Sequence, residues 1–425
     1  MLDRADPRAV QRRVVNVLAA AQVAGGIGIG AAVSVGALLA LDLSGSAAWS
    51  GIASTCTTLG AAAAAVPLAR FAVARGRRTA LSTGWSVSAA GAALAVVAAV
   101  VRSFPLFLVA LLLLGAGHAA NLQARFAATD LAQPETRARA LGLVVWATTV
   151  GAVAGPNLTR PGAEVAGLVG VPALAGPLLL TAVAAVVAAG VLALALRPDP
   201  LLMARAVVAP EVDGNVDGEL AGEPGAVPAA RRSALEVISA SPAAVAGLAG
   251  LVTGHGVMVA VMALTPVHLH DAGADLTLIG LTISLHIAGM FALSPLAGWL
   301  ADRHGRRTGL WTGYALLATA ALVTAGAGHS TVLVTAGLVV LGLGWSFTTI
   351  AASAQIAEAV PVADRPRVQG TADLFMNLSG AVAGVLGGVL VALVGYHGLS
   401  LVAALAVLPA AMVLARARPA LPARA

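Results

Sequence analysis

Long apolar runs separated by short polar turns make up most of this chain. A bilayer core of about 30 Å needs about 20 helical residues, and twelve runs qualify: 14–41, 48–72, 79–101, 104–131, 140–159, 171–196, 242–268, 276–300, 307–328, 331–357, 369–394 and 397–415. The pattern predicts an all-α membrane protein of twelve transmembrane helices. One polar stretch is much longer than the rest, spanning 197–240 with Pro198, Pro200, Pro210, Pro224, Pro228 and an acidic centre between Glu211 and Glu223. Its composition predicts a flexible linker with little reason to fold alone. The organisation expected is a six-helix half over 1–196, the linker over 197–240 and a second six-helix half over 241–425.

The halves repeat one another. The turn Gly298-Trp-Leu-Ala-Asp302-Arg303-His304-Gly305-Arg306-Arg307-Thr308 has a degraded copy over Ala69–Thr79, and the two Gly-Arg-Arg-Thr cores are offset by 229 positions. Asp42 and Asp271, Gly51 and Gly280, and Gly60 and Gly289 keep the same offset, and Gly-Ala-Val-Ala-Gly recurs verbatim at 151–155 and 380–384. Parallel six-span repeats are the architecture of alternating-access transporters that bind substrate near the midplane between the halves.

Composition agrees with the pattern. Hydrophobic residues make up 59% and charged residues 10%, with a mean hydropathy of +0.91, which excludes an ordinary soluble surface. A net charge of +6 could suggest nucleic acid as a partner, yet the cations sit in turns between apolar runs, where they set membrane orientation instead. Only Arg102 and Arg160 fall on the side opposite the other turn arginines, so both termini are expected in the cytoplasm of a multi-pass protein of the cytoplasmic membrane. The first run is too long for a signal-peptide core and is expected to remain as a span. Cys56 is the only cysteine, which leaves neither an intrachain disulfide nor a thiolate metal site. No metal-ligand spacing, phosphate-cradling loop or nucleophile–base pattern occurs, so neither an enzyme nor a bound cofactor or metal is expected. Energy must then come from an ion gradient or from the substrate's own gradient.

With these residues in place, the chain resembles the major facilitator superfamily over essentially its whole length. The family's loop signature G-x-x-x-D-R-x-G-R-R is matched by Gly298, Asp302, Arg303, Gly305, Arg306 and Arg307. In the first half Ala69 and Val73 replace the leading glycine and the acid, leaving Gly76, Arg77 and Arg78. The resemblance implies a charge cluster of Asp302, Arg306 and Glu358 that forms when the cytoplasmic side closes, and a reduced counterpart of Arg77 and Asp130. Plain orientation by surface charge is the alternative. On the fifth run Gly142, Gly151, Gly155 and Pro156 resemble the glycine motif of drug/proton antiporters, with Thr159 and Arg160 in place of its closing glycines. Small residues at that spacing suit a sliding helix seam, or generic close packing. The fourth run keeps Gly115 and Gly117 of a pattern linked with proton coupling, but Leu111 stands where its arginine would be. The resemblance also implies a monomer.

Ionisable and polar groups inside the runs are the remaining candidates, because lipid makes them costly. His118, Asn121 and Arg125 share one helix face at a 0, 3, 7 spacing, as cavity lining or with Arg125 snorkelling to headgroups. His255 and His286 lie near the middle of their runs, and either could carry a coupled proton or serve packing. Asp373, with Asn377 one turn on, could exchange protons, cap its helix, or pair with Arg365 or Arg367. Gln22, Trp146, Thr148 and Thr149 are candidate cavity contacts. Taken together the expectation is a secondary transporter in a lipid bilayer that exports a small amphipathic molecule or drug in exchange for protons. A facilitator or proton symporter for a metabolite, and a non-transporting sensor or scaffold of the same fold, are the alternatives.

Overall fold

The computed structural model describes residues 7–45, 52–213 and 232–417. Gly51, Arg231, the acidic centre of the linker beyond Asp213 and the terminal Arg4, Arg418 and Arg424 lie outside them. Among the described residues fourteen α-helices follow one another: α1 (Pro7–Ser44), α2 (Ile52–Val100), α3 (Phe104–Ala127), α4 (Arg137–Ala154), α5 (Thr159–Val169), α6 (Gly176–Ala195), α7 (Pro200–Asp213), α8 (Ala234–Ser239), α9 (Pro242–Asp271), α10 (Leu276–Phe291), α11 (Ser294–His304), α12 (Arg306–Gly326), α13 (Thr331–Ala359) and α14 (Arg365–Arg416).

They form twelve crossings. The continuous α2 and α14 each hold two, broken at Gly76 (φ 85°) and Gly395 (φ 68°). The fifth crossing is α4 followed by α5, and the eighth is α10 followed by α11. Gly305 (φ 91°) turns the chain between α11 and α12 as Gly76 does in the first half, and a side chain at such φ would be strained. Sequence places the other boundaries through caps: Ser103, Ser241, Asp275 and Ser330 each accept the N–H three residues on, at the starts of α3, α9, α10 and α13.

The linker departs from expectation. Residues expected to stay unstructured include the 14-residue α7 and the short α8. Asp199 caps α7 by accepting the N–H groups of Leu201 (3.0 Å) and Leu202 (3.1 Å), with Pro200 at the first helical position. Ser233 and Glu236 close a reciprocal capping box on α8.

The two halves pack alike: α1 lies against α4 and α6 in the first, and α9 lies against α14, which holds both corresponding crossings, in the second; α1 also meets α3 as α9 meets α13. The halves meet where α2 packs on α14 and where α4 packs on α10 and α11. Ala138, Leu141 and Val145 of α4 are buried within the core of the second half, so the two halves are joined on the arginine-rich side of the molecule.

Candidate functional site

The second-half loop signature forms a tight ion cluster on that side. Arg306 Nη1 lies 2.6 Å from Asp302 Oδ1, and Arg306 Nη2 lies 2.6 Å from Glu358 Oε1. Asp302 also reaches across to the other half, accepting the backbone N–H of Ala138 (2.9 Å) and Arg139 (2.8 Å) at the start of α4. A carboxylate there satisfies orphan donors and faces the positive end of the helix dipole. Arg306 donates to the Pro134 carbonyl as well, and Arg137 stands 3.6 Å from Glu358. Burial pulls the Arg137 guanidinium below its ordinary value, while the nearby Glu358 carboxylate pulls it back up. Gly298 lies against the Ala138 carbonyl, where a Cβ would overlap it. Arg303 is exposed beside the Trp299 ring, and Arg307 donates to the Ala417 carbonyl at the end of α14.

The first half is built differently. Arg77 and Asp130 form a fully buried pair at 2.8 Å, and Arg77 Nη2 donates across the halves to Gln369 Oε1 at 2.5 Å. Val73 holds the position of the missing acid, and α7 supplies charged groups around it. Asp199 Oδ2 accepts the Arg78 N–H at 2.8 Å, its carboxylate lying in the space left by Gly76. Six residues later Arg205 donates to the Val73 carbonyl at 2.9 Å and to the Ala363 carbonyl of the second half at 3.4 Å. A cavity of about 870 Å³ lies beside this bridge, lined in part by Arg205, Arg232, Ala363 and Arg367. The sequence reading missed Asp199, Arg205 and Gln369. Asp199-Pro200 carried the signal of a helix start, masked by the prolines around it; Gln369 carried none.

Deeper in the seam, Arg125 of α3 and Asp373 of α14 meet at 2.6 Å, both fully buried. Arg125 neither snorkels nor leaves Asp373 to Arg365 or Arg367: its remaining donors bond Ser353 Oγ (3.1 Å) and the Leu122 carbonyl (3.0 Å), and it lies 4.6 Å from the Phe126 ring centroid. Asp373 Oδ2 is buried without a partner. Asn377 Nδ2 donates to the Asp373 carbonyl. On the same face of α3 as Arg125, Asn121 receives Gln22 Nε2 on its backbone oxygen at 3.1 Å, leaving Asn121 Nδ2 and Gln22 Oε1 buried and unpaired. His118 is half-buried one turn further along. Across the seam, His255 Nδ1 lies 3.1 Å from Trp345 Nε1, and the imidazole is close enough to Arg125 and His118 to interact electrostatically with both. Asp373 Oδ2, Asn121 Nδ2 and Gln22 Oε1 are thus buried polar atoms without partners in the interior of the molecule, and groups of this kind call for an explanation.

Other candidates lie apart from these groups. Trp146 is 44% exposed on a stripe with Leu143 and Val150, the side of α4 away from the buried Leu141 and Val145, so it is not a cavity contact. His286 is buried within the second half, Nδ1 2.7 Å from the Leu338 carbonyl of α13. Thr148 packs beside Gly26, and Thr149 Oγ1 is buried without a partner. The glycine motif splits between two contacts. Gly142 faces the second half, where its carbonyl accepts Ser294 Oγ at 3.1 Å. Gly151 and Gly155 lie backbone to backbone with α1 at Gly26–Ile27 and Gly30–Ala31. They pack two helices of one half together and do not line the seam between halves. Pro156 opens the 3-10 turn Pro156–Leu158 between α4 and α5.

The Major Facilitator Superfamily profile matches residues 18–273 and 246–425. An MFS-type transporter of Bacillus subtilis, YdeG, is 38% identical over 396 residues, covering 93% of this chain and 89% of the relative. The riboflavin transporter RfnT of Brucella anthropi is 30% identical over 378 residues, with 87% of each chain covered. Among solved structures, that of the human organic anion transporter MFSD10 (TETRAN) matches with a TM-score of 0.72 at 16% identity, covering 95% of this chain and 99% of the other. At that identity the likeness concerns the fold alone.

Proposed function

The chain belongs to the major facilitator superfamily of membrane transporters, and from that premise we propose that it exports a small organic molecule in exchange for protons, by alternating access. The arginine-rich face is then cytoplasmic, with both termini and the linker. The observation that carries the reading is the buried Arg125–Asp373 pair joining the halves at 2.6 Å, with one carboxylate oxygen left over. Charges held out of water persist as a pair, and removing one leaves the other stranded at high cost. A proton taken up by Asp373 cancels its charge, weakens its hold on Arg125 and frees the halves to part on the cytoplasmic side. Release of that proton into the cytoplasm restores the pair. The two states thus differ in proton affinity, which is what coupling requires.

The relative that carries riboflavin makes that compound the first substrate to test. Leu111, in place of the fourth-helix arginine, favours a second reading in which the same pair serves uptake by proton symport. Proteoliposomes loaded with riboflavin distinguish the readings: an outward flux that rises when the lumen of inward-facing vesicles is made alkaline relative to outside supports antiport, and the opposite sign supports symport. A flux indifferent to the gradient and to protonophore would leave only a facilitator.

A further inference from the structure

The repeat places His255 opposite Gly26 and Gly380 opposite Gly151, each pair at the same offset of 229 positions. In the first half the two glycines bring α1 and α4 into backbone contact. In the second half the glycine on α14 is kept, but its partner on α9 carries an imidazole. A Cβ at Gly380 would come within 2.7 Å of His255 Cδ2 and 2.8 Å of Nε2, so the missing side chain makes the niche the ring occupies. The same helix contact that only packs in one half therefore presents a polar group in the other.

The orientation of that group is set by Trp345. An indole N–H can only donate, and Trp345 Nε1 lies 3.1 Å from His255 Nδ1. Nδ1 must therefore hold a lone pair, and the neutral ring carries its proton on Nε2. Trp345 is itself held by Phe291, edge-on at 5.7 Å between centroids. No side chain or carbonyl among the described residues accepts from Nε2, and the histidine is half-buried rather than sealed. Arg125, paired with Asp373 at 2.6 Å, acts electrostatically on the ring, and Asn121 Nδ2 on the same α3 face as Arg125 is a further donor with no partner.

We propose that His255 is a substrate-binding residue, locked by Trp345 as an Nε2–H donor, and that the substrate class is an organic molecule presenting a carbonyl or carboxylate oxygen to that donor. The inference rests on the transporter reading above but not on proton coupling. Acceptor-free organic cations, the other large class of amphipathic cargo, offer no atom for the His255 Nε2–H and Asn121 Nδ2 donors to bind.

The test is equilibrium binding to the purified full chain in detergent, using riboflavin as an oxygen-bearing probe and ethidium as an acceptor-free cation, read by fluorescence. Wild type is expected to bind riboflavin and to bind ethidium at least tenfold more weakly. His255→Leu should weaken riboflavin about tenfold, as expected for one lost hydrogen bond that leaves a polar partner unpaired. His255→Gln, whose amide nitrogen can stand near the position of Nε2, should recover most of that loss. Nitrogen-15 spectra of the histidine-labelled protein should show one Nε2–H tautomer for His255 and a mixture in Trp345→Phe. Thermal unfolding of each variant separates lost binding from lost fold; if His255→Leu does not fold, the Gln and Trp345→Phe results decide. Riboflavin bound equally by wild type and His255→Leu, ethidium preferred over riboflavin, or neither probe bound by wild type would each overturn the proposal. Loss of gradient dependence alone, with binding intact, would overturn proton coupling and leave this inference standing.

Discussion

Arg125 and Asp373, 248 residues apart in the chain, meet at 2.6 Å in the seam between the halves, where neither is exposed. Asp373→Asn removes the charge and the titratable proton while keeping the shape. Active transport driven by a pH gradient should fall at least tenfold, whereas exchange of substrate without a gradient should continue. Parallel flux assays in proteoliposomes check this, and a gradient-driven rate near wild type would show that another group carries the proton.

Asp302 holds the start of α4 through two N–H groups and pairs with Arg306, whereas Val73 at the corresponding place makes no such contact through its side chain. Hydrogen bonds to a charged group contribute about 1.5–3 kcal/mol each. Asp302→Asn should thus slow transport by about tenfold or more, and Val73→Asn by less than about twofold, with one factor of ten corresponding to about 1.4 kcal/mol. Initial rates of counterflow measure both, and equal effects would remove the asymmetry.

Arg205 bridges the Val73 and Ala363 carbonyls from a helix outside both six-span halves. Arg205→Ala should shift the population toward the state open on the arginine-rich side by roughly fivefold, the equivalent of about one hydrogen bond. A maleimide-reactive cysteine at Ala363, introduced in a Cys56→Ser background, reports the change as faster labelling. Unchanged labelling would mean that α7 rests on the closed side without holding it.

Gly151 and Gly384 are both members of the repeated Gly-Ala-Val-Ala-Gly segment, yet only the first lies against another helix backbone. Gly151→Ala should destabilise the protein by about 1–3 kcal/mol through overpacking. Gly384→Ala meets only the Val259 side chain at 3.7 Å and should leave the melting temperature nearly unchanged. Thermal unfolding in detergent compares them directly.

Much of the architecture was legible in one dimension. Spans are long because the bilayer is thick, and the repeat shows as matching residues at a constant offset. The cluster of Asp302, Arg306 and Glu358 was legible through its motif, and the structure brings these three side chains together. Arg125 and Asp373 were each conspicuous as charges in apolar runs, but their pairing was not, because nearer arginines at 365 and 367 looked equally suitable. Trp146 was misplaced for a related reason: a helix that is apolar all round does not reveal which face meets lipid.

Lipid as solvent therefore determined from sequence alone what crosses the membrane, how the chain divides in two and where its fixed charges gather, since each depends on composition along a line. Tertiary structure decided which charges meet, that Arg205 of α7 bridges the Val73 and Ala363 carbonyls of the two halves, and that one glycine packs a backbone while its repeat partner houses a histidine. Those outcomes depend on how helices are rotated and packed against one another across hundreds of residues. The energies involved are contact energies between faces, and no local pattern of residues encodes them.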